Sequence, residues 1–318
     1  MTQHDHDHHH DHPHDHGHSA GHAHHGHSHG IEGKGDWQVA GAVLTNLVLT
    51  AAQIVGGVIA GSVALIADAM HNLSDALALI IAFAARRIAR RPATPAMSFG
   101  YARAEVVAAL VNYTTLIVIC IWLGYAAIER MIDPPPVQGG IVVVLATLAL
   151  VINGLTALLT YRLSKDSVNI RAAFLHNLSD AGTSLAVIVS GLLVMRFGWR
   201  LADPAITLLI SVWILWHCFQ EIGPVIRILM LGAPVHIDES AVQAVIRAEA
   251  GIEGVHHVHL WQIDERRTSL EAHLVLGAGA DAAEVLARVK ARLEAAFGLA
   301  HTTFEVERAG AGCAGQVC

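Results

Sequence analysis

Six apolar runs govern what this chain can fold into. They cover residues 37–60, 63–85, 104–128, 141–163, 170–195 and 204–231. Each is long enough for the roughly 20-residue helix that crosses a bilayer. The composition agrees, with 53% hydrophobic and 15% charged residues and a mean hydropathy of +0.48, where soluble domains carry about 25% charged residues. The sequence therefore predicts an α-helical membrane protein with six transmembrane helices.

The second and fifth runs share a hexapeptide. His-Asn-Leu-Ser-Asp-Ala occupies residues 71–76 and again residues 176–181. On a helix, positions four apart leave the same face one turn from each other, so His71 pairs with Asp75 and His176 with Asp180. Ionisable residues inside a membrane span are expensive and mark a pathway or site. One such pair could simply hydrogen-bond a neighbouring helix, but two identical pairs on separate spans argue for a shared purpose. Facing each other, they supply two imidazoles and two carboxylates, a complete ligand set for tetrahedral Zn²⁺. With nitrogen and oxygen donors and no thiolate, the set favours Zn²⁺, with Co²⁺, Ni²⁺, Cd²⁺ and Fe²⁺ as competitors.

Four protein ligands leave no open position for a catalytic water, and neither motif carries the glutamate base of a His-Glu-x-x-His metalloprotease. The reading is therefore a transporter and not an enzyme. Zinc requires deprotonated ligands, and histidines in an emptied site can take protons back, so protons are the expected counter-ion. Asp68, three residues before His71, shares its face. It either orients His71 from outside the ligand set, relays protons, or lines an aqueous vestibule. Asn46, Asn112 and Asn153 are read as interhelical hydrogen-bonding residues. The Asn-Leu-Ser matches to the glycosylation pattern lie inside spans and are discarded.

Loop charges orient the spans. Arg86, Arg87, Arg90 and Arg91 follow the second, and Arg162, Lys165 and Arg171 separate the fourth from the fifth. After the third span, Arg130 is balanced by Glu129 and Asp133; Arg196 and Arg200 follow the fifth. The excess places both termini in the cytoplasm. No apolar stretch of a signal peptide precedes the first span. Residues 1–35 hold 14 of the 23 histidines and form a predicted disordered His-rich cytoplasmic tail able to sequester metal. The remaining division is a transmembrane domain over residues 36–232, a cytoplasmic domain over 233–308 and a flexible tail over 309–318. Four cysteines, Cys120, Cys218, Cys313 and Cys318, form no disulfide framework, which fits a reducing compartment. No nucleic-acid partner is expected. The compact chain suits a bacterial plasma membrane.

In the cytoplasmic domain the patterning predicts a helix over 237–250, strands over 255–263 and 268–276, a helix over 282–297 and a strand over 302–306. These make a three-stranded sheet with both helices on one side. His256, His257 and His259 crowd the first strand and His273 lies on the next, near Glu271, Glu305 and Glu307. Alternation puts His257 and His259 on one face and His256 on the other. The group is either a metal site or a set of surface histidines.

These stretches together resemble the cation diffusion facilitator family of zinc-efflux transporters, over roughly residues 37–308. The resemblance is carried by Ala67-Asp68-Ala69-Met70-His71-Asn72-Leu73-Ser74-Asp75, Ser98-Phe99-Gly100-Tyr101-Ala102-Arg103-Ala104-Glu105, His176-Asn177-Leu178-Ser179-Asp180 and Gly254-Val255-His256-His257-Val258-His259-Leu260-Trp261. It implies a homodimer with six spans per subunit, a small α/β ferredoxin-like cytoplasmic domain, and alternating access with metal–proton antiport. It places the transport site on His71, Asp75, His176 and Asp180, and His71 implies the zinc-preferring branch. The family's regulatory site falls on His256, His273, Glu305 and Glu307, the two glutamates replacing the His and Asp of its fullest version. Residues 90–101 contain neither Asp nor His, so the metal site some members carry in that loop is expected to be absent. The alternative reading is a membrane-bound metal sensor or scavenger without transport.

Overall fold

The computed structural model describes residues 36–161, 168–299 and 301–308. The His-rich tail, Arg162, Lys165, Cys313 and Cys318 lie outside the described residues. Six helices come first: α1 (Asp36–Ala60), α2 (Val63–Ala89), α3 (Arg103–Ile132), α4 (Gly139–Tyr161), α5 (Val168–Phe197) and α6 (Ala202–Leu229). Among the described residues, α2 to α6 are each long and apolar enough to cross a membrane, and α1 contributes the shorter apolar helix Leu44–Ala60. The membrane part of the chain is therefore a six-helix bundle. Its outer surface carries large apolar side chains, with Phe83 72%, Leu158 66% and Trp122 58% exposed. That is the polarity of a molecule solvated by lipid.

Several helices outrun the apolar runs that predicted them. α2 continues through Arg86 and Arg87 to Ala89, and α3 continues through Glu129 and Arg130 to Ile132. Hydrophobicity reports where hydrocarbon ends, whereas the backbone ladder continues into the interface, where charged side chains stay hydrated.

Helix contacts depend on small residues. α4 packs on α5 where Gly139 and Gly191 meet: a Cβ at Gly139 would lie 2.5 Å from the Gly191 carbonyl oxygen. Small residues at such a crossing let two backbones approach closely. Ala64, Leu65, Val142, Ala146 and Val187 fill the core between α2, α4 and α5. At the turn between α1 and α2, Gly61 takes φ +68, a conformation that favours glycine. Ser62 then caps α2, its Oγ accepting from the Leu65 amide at 3.1 Å. Asp203 of α6 reaches the same helix end, accepting from the Ser62 hydroxyl and from the Val63 amide at 2.8 Å. A carboxylate at a helix N-terminus satisfies free amides and opposes the helix dipole. Arg130 of α3 donates to the Gly61 carbonyl. The pair α3 and α6 thus grips the α1–α2 turn through side chains.

The cytoplasmic domain contains α7 (Glu239–Arg247), β1 (Ile252–Gln262), β2 (Thr268–Leu276), α8 (Ala282–Phe297) and β3 (His301–Arg308). Strand order is β1-β2-β3, with β1 antiparallel and β3 parallel to β2. The helix α8 makes the crossover that a parallel neighbour requires. Val242 and Ile246 of α7 share one core with Leu270 and Leu274 of β2 and Val289 and Leu293 of α8, so both helices cover one face of a ferredoxin-like sheet. The first helix is shorter than the predicted 237–250. Asp238 caps it by accepting from the Ser240 amide, Ala248 caps the other end, and Gly251 turns at φ +94. The two parts of the chain meet at a defined joint. Arg103, at the start of α3, donates to the carbonyls of Ile263 and Gln262 at 2.8 and 3.2 Å.

Candidate metal centre between the second and fifth helices

The helical spacing of each hexapeptide does what the sequence requires of it. His71 and Asp75 leave α2 together, His176 and Asp180 leave α5 together, and the two faces meet. His71 Nε2 lies 3.3 Å from Asp180 Oδ1 and 3.7 Å from Asp75 Oδ2. His176 Nε2 lies 3.5 Å from both Asp75 Oδ2 and Asp180 Oδ2. Each carboxylate therefore touches both imidazoles, and the two rings stand 6.3 Å apart, centre to centre, at 69°. Donors about 2.0–2.1 Å from a tetrahedral ion lie roughly 3.4 Å from one another. The four nitrogen–oxygen separations fall around that value. His71, Asp75 and Asp180 present donor atoms that all lie within 4.8 Å of one another, and His176 stands beside this group within 3.5 Å of both carboxylates.

Exposure is graded across the site. The side chain of Asp180 is 7% exposed, His71 15%, Asp75 27% and His176 33%. Access therefore grows toward the C-terminal end of α2 and the N-terminal end of α5. On the other side of the site the chain is sealed. Asp68, fully buried, accepts from Gln53 Nε2 of α1 at 2.7 Å and from Ser184 Oγ of α5 at 3.2 Å. Asn72 Nδ2 contacts Gln53 Oε1 at 3.5 Å. These hydrogen bonds tie three helices together one turn from the ligands, and His71 Nδ1 takes no part in them.

Gln53 and Ser184 were not singled out from the sequence. Ser184 continues the 176, 180, 184 face of α5 by one more turn, and that period was a usable signal. Gln53 is a single amide in an apolar helix, and only the tertiary packing gives it a role. The interhelical bonds expected of Asn46 and Asn153 are not found for Asn46 Oδ1 or Asn153 Nδ2, which are buried without hydrogen-bond partners among the described residues.

A second cluster lies on the face of the cytoplasmic sheet opposite α7 and α8. His256 Nε2 lies 3.3 Å from Glu307 Oε1, His273 Nδ1 lies 2.9 Å from the same oxygen, and His273 Nε2 lies 3.3 Å from Glu305 Oε2. His256, His273 and Glu307 are brought together, whereas Glu305 reaches only the other ring nitrogen of His273 and stands apart from that group. His257 corrects the strand-alternation expectation. Its ring lies 5.1 Å from that of His256 and 4.8 Å from that of His273, on the same side as both. The cause is an irregularity in β1: His256 pairs with His273 but His259 pairs with Glu271. The extra residue is a bulge, which breaks the alternation and re-aims a side chain, and His257 absorbs it at φ +49.

Comparison with known proteins matches the chain in two consecutive stretches. The cation efflux transmembrane domain model matches residues 39–230, and the model of the cation efflux protein cytoplasmic domain matches residues 234–309. The chain belongs to the cation diffusion facilitator family. It falls on the zinc branch of that family, whose members are transporters and not enzymes. A cadmium, cobalt and zinc/H⁺-K⁺ antiporter of Bacillus subtilis is 33% identical over 260 residues, 80% of this chain and 83% of that protein. The metal cation efflux system protein CzcD of Cupriavidus metallidurans is 34% identical over 259 residues, covering 81% and 82%. The zinc transporter ZitB of Escherichia coli is 34% identical over 257 residues, covering 80% and 82%. A solved structure, the metal-bound C-terminal domain of the Cupriavidus CzcD transporter, covers 22% of this chain and 99% of its own at 29% identity, with a TM-score of 0.22.

Proposed function

We propose that this cation diffusion facilitator exports Zn²⁺ in exchange for protons by alternating access, with His71, Asp75, His176 and Asp180 as the transport site. The observation that carries the reading is the meeting of two His-Asp faces, each carboxylate 3.3–3.7 Å from both imidazoles. Two carboxylates balance the charge of a divalent ion, which matters where the dielectric is low. Co²⁺, Cd²⁺, Ni²⁺ and Fe²⁺ suit the same donors and compete. Zinc entry displaces protons from the imidazoles, and protons return to the emptied site from the other side of the membrane.

The loop arginines put the C-terminal end of α2 on the cytoplasmic side, so graded access to the site describes a state open to the cytoplasm. In it, Gln53, Asp68 and Ser184 form the closed far-side barrier, and export requires that those bonds part. Asp68 acts here as a positioning residue between helices and not as a ligand. The transmembrane domain ends near residue 232. The cytoplasmic domain pairs two copies into a homodimer and carries a metal-binding site on His256, His273, Glu305 and Glu307, with His257 beside it. Both termini lie in the cytoplasm of a bacterial cell, at its plasma membrane, and residues 1–35 buffer metal near the entrance.

Zinc uptake into inverted vesicles under an imposed pH gradient tests the assignment. Asp75→Ala and Asp180→Ala each remove one ligand and are expected to lower the flux at least about 100-fold, by analogy with the loss on disturbing a metal's outer partners, roughly 10–100-fold. Unchanged flux in either variant would remove the site. Zinc binding without flux in the unsubstituted protein would favour a sensor.

A further inference from the structure

The bulge in β1 leaves three imidazole rings in one place on the open face of the cytoplasmic sheet. Ring centres lie 5.1 Å apart for His256 and His257, 4.8 Å for His257 and His273, and 5.3 Å for His256 and His273. No pair is stacked, the ring planes meeting at 76°, 61° and 57°. Imidazole nitrogens bind Zn²⁺ at about 2.0–2.1 Å, which sets the ring centres of two ligands in a tetrahedral site roughly 5 Å apart. All three separations fall at that value. Glu307 joins the group, its Oε1 lying 3.3 Å from His256 Nε2 and 2.9 Å from His273 Nδ1, with its side chain 9% exposed.

Glu305 is kept out of that group by the ring it touches. It meets His273 at Nε2, whereas Glu307 meets the same ring at Nδ1. The two nitrogens of an imidazole point away from each other, so a ring that offers Nδ1 to an ion turns Nε2 toward an outer partner. A metal-bound histidine commonly donates from its second nitrogen to a carboxylate, which fixes the tautomer and the ring orientation. Glu305, its side chain 68% exposed, suits that outer role. The backbone supplies the missing donor. His257 stands at φ +49, one of two non-glycine residues with positive φ among the described residues. Such a conformation is uncommon outside glycine, although His, Asn and Asp adopt it more readily, and such outliers cluster at sites that clamp a ligand. Without the bulge, strand alternation would turn the His257 ring to the opposite face of the sheet, toward α7 and α8.

We propose that His257 is a ligand of the cytoplasmic metal site. The set is then three imidazoles and one carboxylate, from His256, His257, His273 and Glu307, and Glu305 is a positioning residue behind His273. Three nitrogen donors and one oxygen favour Zn²⁺, Ni²⁺ or Cu²⁺ over Mg²⁺, Ca²⁺ or Mn²⁺. With a single carboxylate, the site filled by a divalent ion keeps one positive charge on the open face of the sheet. This inference rests on the reading that the cytoplasmic domain binds metal, and it is independent of the transport site.

The test is carbethoxylation of histidines by diethyl pyrocarbonate in the purified full-length protein at increasing Zn²⁺, read residue by residue by peptide mass spectrometry. A ring nitrogen bound to zinc cannot attack the reagent, and the other nitrogen then carries the proton. His256, His257 and His273 should lose reactivity together, at one zinc concentration and by at least about tenfold. Exposed His259, on the same strand, should keep its rate. His257→Asn removes the imidazole but keeps a residue that tolerates positive φ. It should raise the zinc concentration that half-protects His256 and His273 by at least about 100-fold. Glu305→Gln should raise it by roughly 10–100-fold and leave all three rings protected at saturating zinc. Protection of His256 and His273 with His257 still reactive would overturn the proposal while leaving the cytoplasmic site in place. So would an unchanged midpoint in His257→Asn. Reactivity of all three rings at every zinc concentration would remove the cytoplasmic site itself, and the proposal with it.

Discussion

At the residue scale, the proposed transport site makes the imidazole at position 71 the residue on which metal preference is expected to turn. Replacing it by a carboxylate gives three oxygen-donor side chains and one nitrogen donor, a set that suits harder ions such as Mn²⁺. His71→Asp is expected to raise the ratio of Mn²⁺ to Zn²⁺ transport by about tenfold, measured with both ions in the same vesicles. An unchanged ratio would mean that selectivity is set elsewhere. Asp68 makes a different prediction. Asp68→Asn keeps the shape of the side chain but weakens its bonds to Gln53 and Ser184. It should alter KM for zinc by roughly tenfold while leaving unchanged the tetrahedral ligand-field spectrum of the Co²⁺-substituted protein. Loss of the tetrahedral spectrum would make Asp68 a ligand instead.

Elements show how much of this arrangement was legible in the sequence. The i, i+4 spacing of the two hexapeptides was enough to place four donors on two facing helices, because helix periodicity is local and rigid. The strands were legible from their hydrophobic pattern, and β2 falls on the predicted residues. His257 was not legible, since a bulge depends on the pairing of β1 with β2 and leaves no local trace. Gln53 and the Asp203 cap were hidden for the same reason: each acts on a helix distant in sequence.

Those non-local bonds are testable. Asp203→Ala leaves the Val63 amide and the Ser62 hydroxyl of a buried helix end without their acceptor. The expected cost is about 2 kcal/mol, seen as a lower melting temperature in detergent; no change would show that α6 does not support α2. In the β1–β2 turn, burial pushes the Asp264 carboxyl up, but the Arg266 and Arg267 amides and the Arg267 guanidinium outweigh it and hold its pKa below the ordinary value. A lowered carboxylate contributes stability that is complete above its ordinary unfolded value, near pH 4, and is lost as pH falls through the folded value. Asp264→Asn should therefore lower the stability of the protein at neutral pH and flatten its decline below about pH 4, as followed by denaturant unfolding. A parallel decline in both proteins would contradict this.

For the whole molecule, the partition of labour follows from solvent. The bundle faces lipid with apolar side chains and gathers the polar groups around the proposed transport site on α1, α2 and α5, while Asp203 of α6 holds the start of α2. The cytoplasmic sheet keeps its helices on one face and its histidines on the other. The tail over residues 1–35, with 14 of the 23 histidines, is proposed to buffer metal. Its deletion is expected to shift the apparent zinc affinity by severalfold with transport retained, and complete loss of transport would assign it an essential step. The central claim is that one four-ligand site exchanges zinc for protons, and simultaneous recording of both ions in proteoliposomes tests it most directly. An imposed pH gradient should drive zinc accumulation against its own gradient, with proton flux in the opposite direction, and both fluxes should vanish together in Asp180→Ala. Zinc flux that ignores the pH gradient, or proton flux that persists without the site, would contradict the account.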